Sequence, residues 1–147
     1  MLVREAMTRD VKTVTPDTTI REAARLMAEY DIGALPVSDG DRLAGMVTDR
    51  DIAVRAVAIG RGSDALVDEV MTLDVLYCHE DEDIGHIAGN MAEKQVRRLP
   101  VVDVDKRLIG IISLADIADA RADEAGEALE GITRPGGQRS QSIEGRA

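Results

Sequence analysis

Apolar residues recur along this chain with two periods, and the periods alternate. Ile20, Ala23, Ala24, Met27 and Ala28 fall at three- and four-residue steps, and Ile84, Ile87, Ala88, Met91 and Ala92 repeat those steps. Each set predicts an amphipathic helix with one face in a core. Before each helix lies a β-branched or apolar segment that reads as a strand, Val11-Lys12-Thr13-Val14 and Val75-Leu76-Tyr77-Cys78. After each helix come two more strands around a polar turn. The first pair is Leu35-Pro36-Val37 and Arg42 to Val47 around Ser38-Asp39-Gly40-Asp41; the second is Leu99 to Val102 and Leu108 to Ile112 around Asp103 to Arg107. A closing helix is expected to start at Thr48 and at Ser113. The order β-α-β-β-α, twice, predicts an α/β protein of the α+β type, with two small sheets and helices on one side of each.

The two halves are copies of one unit. At an offset of 64 positions, Met7-Thr8 meets Met71-Thr72, Asp17 meets Asp81, and Met27-Ala28-Glu29 meets Met91-Ala92-Glu93. Leu35-Pro36-Val37 then meets Leu99-Pro100-Val101. One extra residue in the second turn makes the offset 65, which pairs Gly45 with Gly110 and Asp51-Ile52-Ala53 with Asp116-Ile117-Ala118. Two copies of this length suit a pseudo-twofold pair better than an open array. The repeats are placed at 2–58 and 66–122, with 59–65, containing Gly60-Arg61-Gly62-Ser63, as linker. A helical extension is expected over 123–130. The stretch 131–147, poor in apolar residues, is expected to be a disordered tail. Its Ile143-Glu144-Gly145-Arg146 resembles a protease-cleavage site used in expression vectors and is left out of the functional argument.

Composition narrows the partners. With no Phe, no Trp and two Tyr, the core must be built from Val, Ile, Leu, Ala and Met. A formal charge of −10 opposes close approach to nucleic acid or an anionic membrane surface. No apolar stretch approaches the roughly 18 to 20 residues needed to span a bilayer. The start, Met1-Leu2-Val3-Arg4-Glu5, has no apolar signal region, and the one cysteine, Cys78, forms no internal disulfide. A cytoplasmic location is expected.

Each copy ends in the run Gly-hydrophobic-hydrophobic-Ser/Thr-x-x-Asp-hydrophobic, as Gly45-Met46-Val47-Thr48-Asp49-Arg50-Asp51-Ile52 and as Gly110-Ile111-Ile112-Ser113-Leu114-Ala115-Asp116-Ile117. With Ile32-Gly33-Ala34-Leu35-Pro36-Val37 and Val96-Arg97-Arg98-Leu99-Pro100-Val101, these runs resemble the cystathionine-β-synthase (CBS) domain family, whose tandem pairs are called Bateman modules. The resemblance covers nearly everything from Val3 to Ala122. It implies two repeats packed about a pseudo-twofold axis, a homodimer formed through the helices around Ile52 to Ile59 and Ile117 to Ala122, and an adenosine-containing ligand. It also implies pockets built from both repeats. One would place Thr48, Arg50 and Asp51 opposite Cys78, His79, Val96, Arg97, Arg98 and Pro100. The other would place Ser113 and Asp116 opposite Thr13, Thr15, Ile32, Gly33, Ala34 and Pro36. The arginines favour a phosphorylated ligand in the first pocket.

Two readings of the Thr/Ser-x-x-Asp runs stay open on the residues alone. A carboxylate there accepts hydrogen bonds from a ribose diol, with the hydroxyl assisting at ribose or phosphate. The same residues also form a helix capping box. Arg97 and Arg98 read equally as phosphate ligands and as surface charges paired with Glu93 or Asp103. Gly33 either lets a base approach the backbone or serves as a plain turn glycine. Cys78, His79, Glu80 and His86 lack metal-ligand spacing, since adjacent strand residues point to opposite faces, so no metal is expected. Cys78 reads as a buried structural thiol, although a pocket-facing one would make binding redox-sensitive. No phosphate loop or nucleophile elbow is present.

The reading is therefore a non-enzymatic regulatory module that requires no cofactor. AMP, ADP, ATP, NAD or S-adenosylmethionine would bias its conformation, and an unnamed protein effector would read the change. The alternative is a protein-interaction scaffold or stress protein with vestigial pockets, and an enzyme acting on a bound nucleotide ranks third.

Overall fold

The structure, a computed structural model, describes residues 1–120 and 131–132; the expected extension over 123–130 and the tail from 133 lie outside the described residues. In chain order the elements are α1 (Val3–Ala6), α2 (Ile20–Tyr30), β1 (Ala34–Asp39), β2 (Arg42–Thr48), α3 (Asp49–Arg55), β3 (Cys78–His79), α4 (Ile84–Lys94), β4 (Arg98–Val102), β5 (Leu108–Ser113) and α5 (Leu114–Ala120). Short 3₁₀ turns occur at Val57–Ile59 and Val67–Glu69. This is the expected α+β fold with two small sheets, β1-β2 and β3-β4-β5.

The chain forms two compact units, and these do not coincide with the sequence repeats. Among the described residues, the first unit is Lys12–Val75; the second combines Met1–Val11 with 76–120 and 131–132. Each unit thus takes its Met-Thr segment from the other repeat. In the second unit, Thr8 exchanges two backbone hydrogen bonds of 2.9 Å with Ile111 of β5. In the first, Thr72 does the same with Met46 of β2, at 2.8 and 3.0 Å. The duplicated glycines make this close approach possible. A Cβ on Gly45 would lie 2.5 Å from the Thr72 carbonyl oxygen, and one on Gly110 would lie 2.8 Å from that of Thr8.

The helices form where the three- and four-residue steps place them. α2 starts at Thr19, whose hydroxyl accepts the Glu22 amide, and stops at Asp31 in the left-handed conformation. α4 starts at Asp83, whose carboxylate accepts the Gly85 amide, and stops likewise at Gln95. Ile20, Ala23 and Met27 bury in the first unit, and Ile84, Ile87, Ala88 and Met91 in the second. Ala24 and Ala28, expected on the buried face, are exposed. In the second unit Gly131 packs against Ala92 of α4, and alanine tolerates either environment.

The strands before the helices are shorter than the sequence predicts, and prolines explain why. Val14 donates to the Pro36 carbonyl and accepts from the Ser38 amide, as one parallel bridge to Val37. Extending the ladder backward needs an amide from Pro36, and extending it forward needs one from Pro16. Neither proline has one. In the second unit Glu80 stands at the position of Pro16, and the strand reaches two residues, Cys78 and His79, paired in parallel with Val101 and Val102. Val11 to Thr13 and Val75 to Tyr77 are not strand.

The hairpins follow expectation. β1 and β2 pair from Ala34↔Thr48 to Asp39↔Arg42, with Gly40 at φ +66° in the turn. β4 and β5 pair from Arg98↔Ser113 to Val102↔Leu108, and Lys106 takes the left-handed position in the longer turn. Apolar side chains from both faces close a core in each unit: Val14, Ile20, Ala23, Leu35, Val37, Val47 and Val67 in the first, Val3, Ile84, Ile87, Met91, Val101, Ile112 and Ile117 in the second. Ile117, expected on an exposed contact face, is fully buried. Gly131 and Ile132, at the head of the expected tail, are helical and buried, and the buried Gln95 Nε2 donates to both their carbonyls.

Candidate functional site

The Thr-x-x-Asp run closes on itself as a capping box, buried where it leaves β2. The Asp51 amide donates to Thr48 Oγ1 and the Thr48 amide to Asp51 Oδ2, both at 3.0 Å. The box satisfies one carboxylate oxygen and leaves the other. Asp51 is 1 % exposed, and among the described residues its Oδ1 accepts no hydrogen bond. The nearest cation is Arg55 Nε, 3.8 Å away and one helical turn on. Burial pushes the Asp51 carboxyl above the usual carboxylate range, against the lowering effects of the Thr48 hydrogen bonds and Arg55; Asp49 adds to the rise. The capping reading is thus what the structure shows at Oδ2, while Oδ1 is a desolvated acceptor lacking a donor among the described residues.

The second copy repeats the box, with the Ser113 amide donating to Asp116 Oδ2 at 2.9 Å and the Asp116 amide to Ser113 Oγ at 3.1 Å. It is only part-buried.

Within the first unit, the residues brought beside the Thr48-Asp51 box are Gly33 and Ala34. The Gly33 carbonyl accepts the Asp49 amide at 2.9 Å, and Ala34 pairs with Thr48. Both are buried, and Ile32 is half-buried. Pro36 is buried and uses its carbonyl on Val14, whereas Thr13 and Thr15 are exposed. The Thr15 hydroxyl is already bonded to Asp17. Arg50 is exposed, its amide donating to Asp49.

Within the second unit, Arg97 and Arg98 flank the Ser113-Asp116 box. The Arg97 carbonyl accepts the Leu114 amide at 2.7 Å, and Arg98 pairs with Ser113. Both side chains are half-buried, and Arg97 Nε is buried without a hydrogen-bond acceptor among the described residues. Val96 and Pro100 are buried. His79 is half-buried, with Nδ1 3.2 Å from the Val102 carbonyl oxygen and its ring edge-on to Tyr77. Cys78 is buried, and burial, with the nearby Glu82 charge, pushes its thiol up to about 12. It stays protonated and unreactive at neutral pH. Among the described residues no group of three His, Cys, Asp or Glu could hold a metal ion.

Sequence reasoning passed over Arg55, the partner of Asp51, although the four-residue spacing Asp51 to Arg55 was its signal. It also passed over Glu82, which accepts the His79 amide and fixes that segment. Among the described residues no helix is long and apolar enough to cross a membrane.

Two copies of a helix, a hairpin and a closing helix, each with a Ser/Thr-Asp box at the strand-to-helix junction, define a tandem repeat protein. The profile of the CBS domain matches residues 3–57 and 67–123, and the chain belongs to that family. Hypoxic response protein 1 of Mycobacterium tuberculosis is 41% identical over 117 residues, 78% of this chain and 81% of that protein. Its crystal structure with two coordinated zinc ions superposes with a TM-score of 0.73 at 40% identity, covering 81% of this chain and 98% of that one. The CBS domain pair of protein MJ0100, in complex with 5'-methylthioadenosine and S-adenosyl-L-methionine, gives a TM-score of 0.72 at 32% identity, covering 82% and 98%. CBSX2 in complex with AMP gives 0.75 at 29% identity, covering 83% and 96%.

Proposed function

We propose that this protein is a regulatory module that binds an adenine nucleotide or related adenosine compound and passes its occupancy to a protein partner by changing conformation. The observation that carries this reading is the Asp51 Oδ1 oxygen, buried, ionisable and without a donor among the described residues. An unpaired buried acceptor costs roughly 1–3 kcal/mol, which a pure capping role does not require. A ribose hydroxyl is a neutral donor of the right kind for such an oxygen. Adenosine compounds bound to the CBS pair of MJ0100 and to CBSX2 favour the same ligand class.

The residues assigned to ligand are those the family resemblance implies. Thr48, Asp51, Ser113 and Asp116 serve ribose and phosphate, and Arg97 and Arg98 serve phosphate oxygens. Cys78, His79 and Val96, with Ile32, Gly33 and Ala34, serve as apolar and edge contacts to the base. Arg97 Nε, buried without an acceptor, suits phosphate better than a solvated surface charge. The protein is proposed to act as a homodimer in the cytoplasm without turning the ligand over. Val54, Val57 and Ile59, exposed on α3 and the turn after it, form the apolar contact face.

The test is calorimetric titration of AMP, ADP, ATP, NAD and S-adenosylmethionine into protein stripped of ligand, repeated with Asp51→Asn and Asp116→Asn. Saturable binding of one ligand, abolished by one substitution, identifies ligand and pocket together. Silence from all five overturns the reading and favours a scaffold acting through its surface. Conversion of any ligand to product would overturn the non-enzymatic assignment.

A further inference from the structure

The duplicated fold supplies its own comparison, and one groove differs between the copies. In the second unit a hollow of about 160 Å³ lies between the segment before β3 and the C-terminal half of α4, lined by Leu76, Tyr77, Asn90, Lys94 and Leu99. The matching positions in the first unit are Lys12, Thr13, Leu26, Tyr30 and Leu35. There Tyr30 contributes an aromatic ring, with the Lys12 ammonium 4.9 Å from its centroid. The first unit therefore supplies both ring and cation at this place. The second supplies a cation, Lys94, and an apolar floor, Leu76 and Leu99, but no ring from the helix.

Lys94 makes no ion pair among the described residues. It is half-buried, and Asn90 beside it presents a carboxamide that otherwise has only a 3.4 Å contact to His86. Tyr77 walls the groove and carries a second ammonium, that of Lys106, 5.6 Å from its ring. The groove, open to solvent on one side, has room for one six-membered ring on its apolar floor of Leu76 and Leu99. An anionic group on such a ring would meet Lys94 and the Asn90 amide at the mouth.

We propose that this groove is a binding site for a small aromatic carboxylate, separate from the residues assigned to nucleotide. The ring lies over Leu76 and Leu99 beside Tyr77, and the carboxylate pairs with Lys94. A ligand of this size in an open groove binds weakly, with a dissociation constant of about 1 mM.

The experiment is a heteronuclear NMR titration of the full chain with benzoate, and in parallel with benzyl alcohol and with acetate. Benzoate is expected to shift the amides of Leu76, Tyr77, Asn90, Lys94 and Leu99 saturably; benzyl alcohol should do so more weakly and acetate not at all. Lys94→Met leaves the groove open and is expected to weaken benzoate about tenfold while leaving benzyl alcohol unchanged. Asn90→Leu with Lys94→Tyr writes the first unit's residues into the same scaffold, fills the groove and abolishes both responses. Unmoved amides with benzoate overturn the proposal, as does equal affinity in Lys94→Met or in the filled variant.

Discussion

Replacing Asp51 by Asn separates the two roles of that carboxylate, because the amide oxygen still accepts from the Thr48 backbone while the charge is gone. Burial raises the carboxyl's pKa in the folded state. The folded protein therefore holds this proton more tightly than the unfolded chain, and the wild type loses stability as pH rises from the unfolded value of 3.8 through the raised folded value. Above that window the loss is complete and constant. The ligand-free Asn variant should accordingly be more stable than wild type at neutral pH by about 1 kcal/mol, the low end of the cost of an unpaired buried polar atom. The difference should vanish below the unfolded pKa, where both side chains are neutral. Ligand binding should move the other way. A charged acceptor contributes roughly 1.5–3 kcal/mol per hydrogen bond, so losing two to a ribose diol weakens affinity at least about 100-fold. Urea denaturation across this pH range and calorimetry with the bound nucleotide read both quantities. A variant less stable than wild type at neutral pH, or one that binds nucleotide unchanged, would refute the reasoning, because Oδ1 would then be part of the folded structure's own satisfaction.

Gly45→Ala and Gly110→Ala drive a Cβ into the carbonyls of Thr72 and Thr8 and should each cost about 2 kcal/mol through two disrupted backbone hydrogen bonds, read as a lowered thermal midpoint. Gly89→Ala, at an open position inside α4, should raise stability by about 0.5–1 kcal/mol in the same assay. Cys78 should resist iodoacetamide at neutral pH in the folded protein and react promptly in denaturant, because burial, with the nearby Glu82 charge, pushes its thiol up to about 12 only in the folded state. Val57→Glu with Ile59→Glu, on side chains 67% and 64% exposed, should shift a dimer to monomer in sedimentation velocity while each protomer stays folded.

Where one local rule decides an element, the sequence was enough to read it. The three- and four-residue steps located α2 and α4, and polar turns between apolar runs located both hairpins. The Thr-x-x-Asp and Ser-x-x-Asp runs announced the helix starts, and as capping boxes they form without reference to anything distant. What escaped depends on partners far along the chain. Val11 to Val14 has the composition of a strand, and only its pairing with a segment containing Pro36 reduces it to one bridge. Nothing local tells Ala24 and Ala28 from the buried Ala23 and Ala88, because alanine is indifferent and what packs on each helix from elsewhere in the chain decides. At the site, residue types pointed to a ribose-binding carboxylate but not to which oxygen would be spent on the helix. That division follows from the burial of Asp51 and the reach of Arg55, which are tertiary facts.

The crossing of the Met-Thr segments sets an order in which the chain can complete itself during synthesis. Lys12–Val75 has all its parts once Val75 has left the ribosome, whereas Met1–Val11, made before it, finds its partners only in Glu80 to Ile84 and then in Ile111 of β5. Until then Val3 and Met7 are an unpaired apolar arm, open to chaperones or to the β5 edge of another molecule. A disruptive substitution within Met1–Val11 will therefore disturb the unit that carries Ser113 and Asp116, while Lys12–Val75 stays whole.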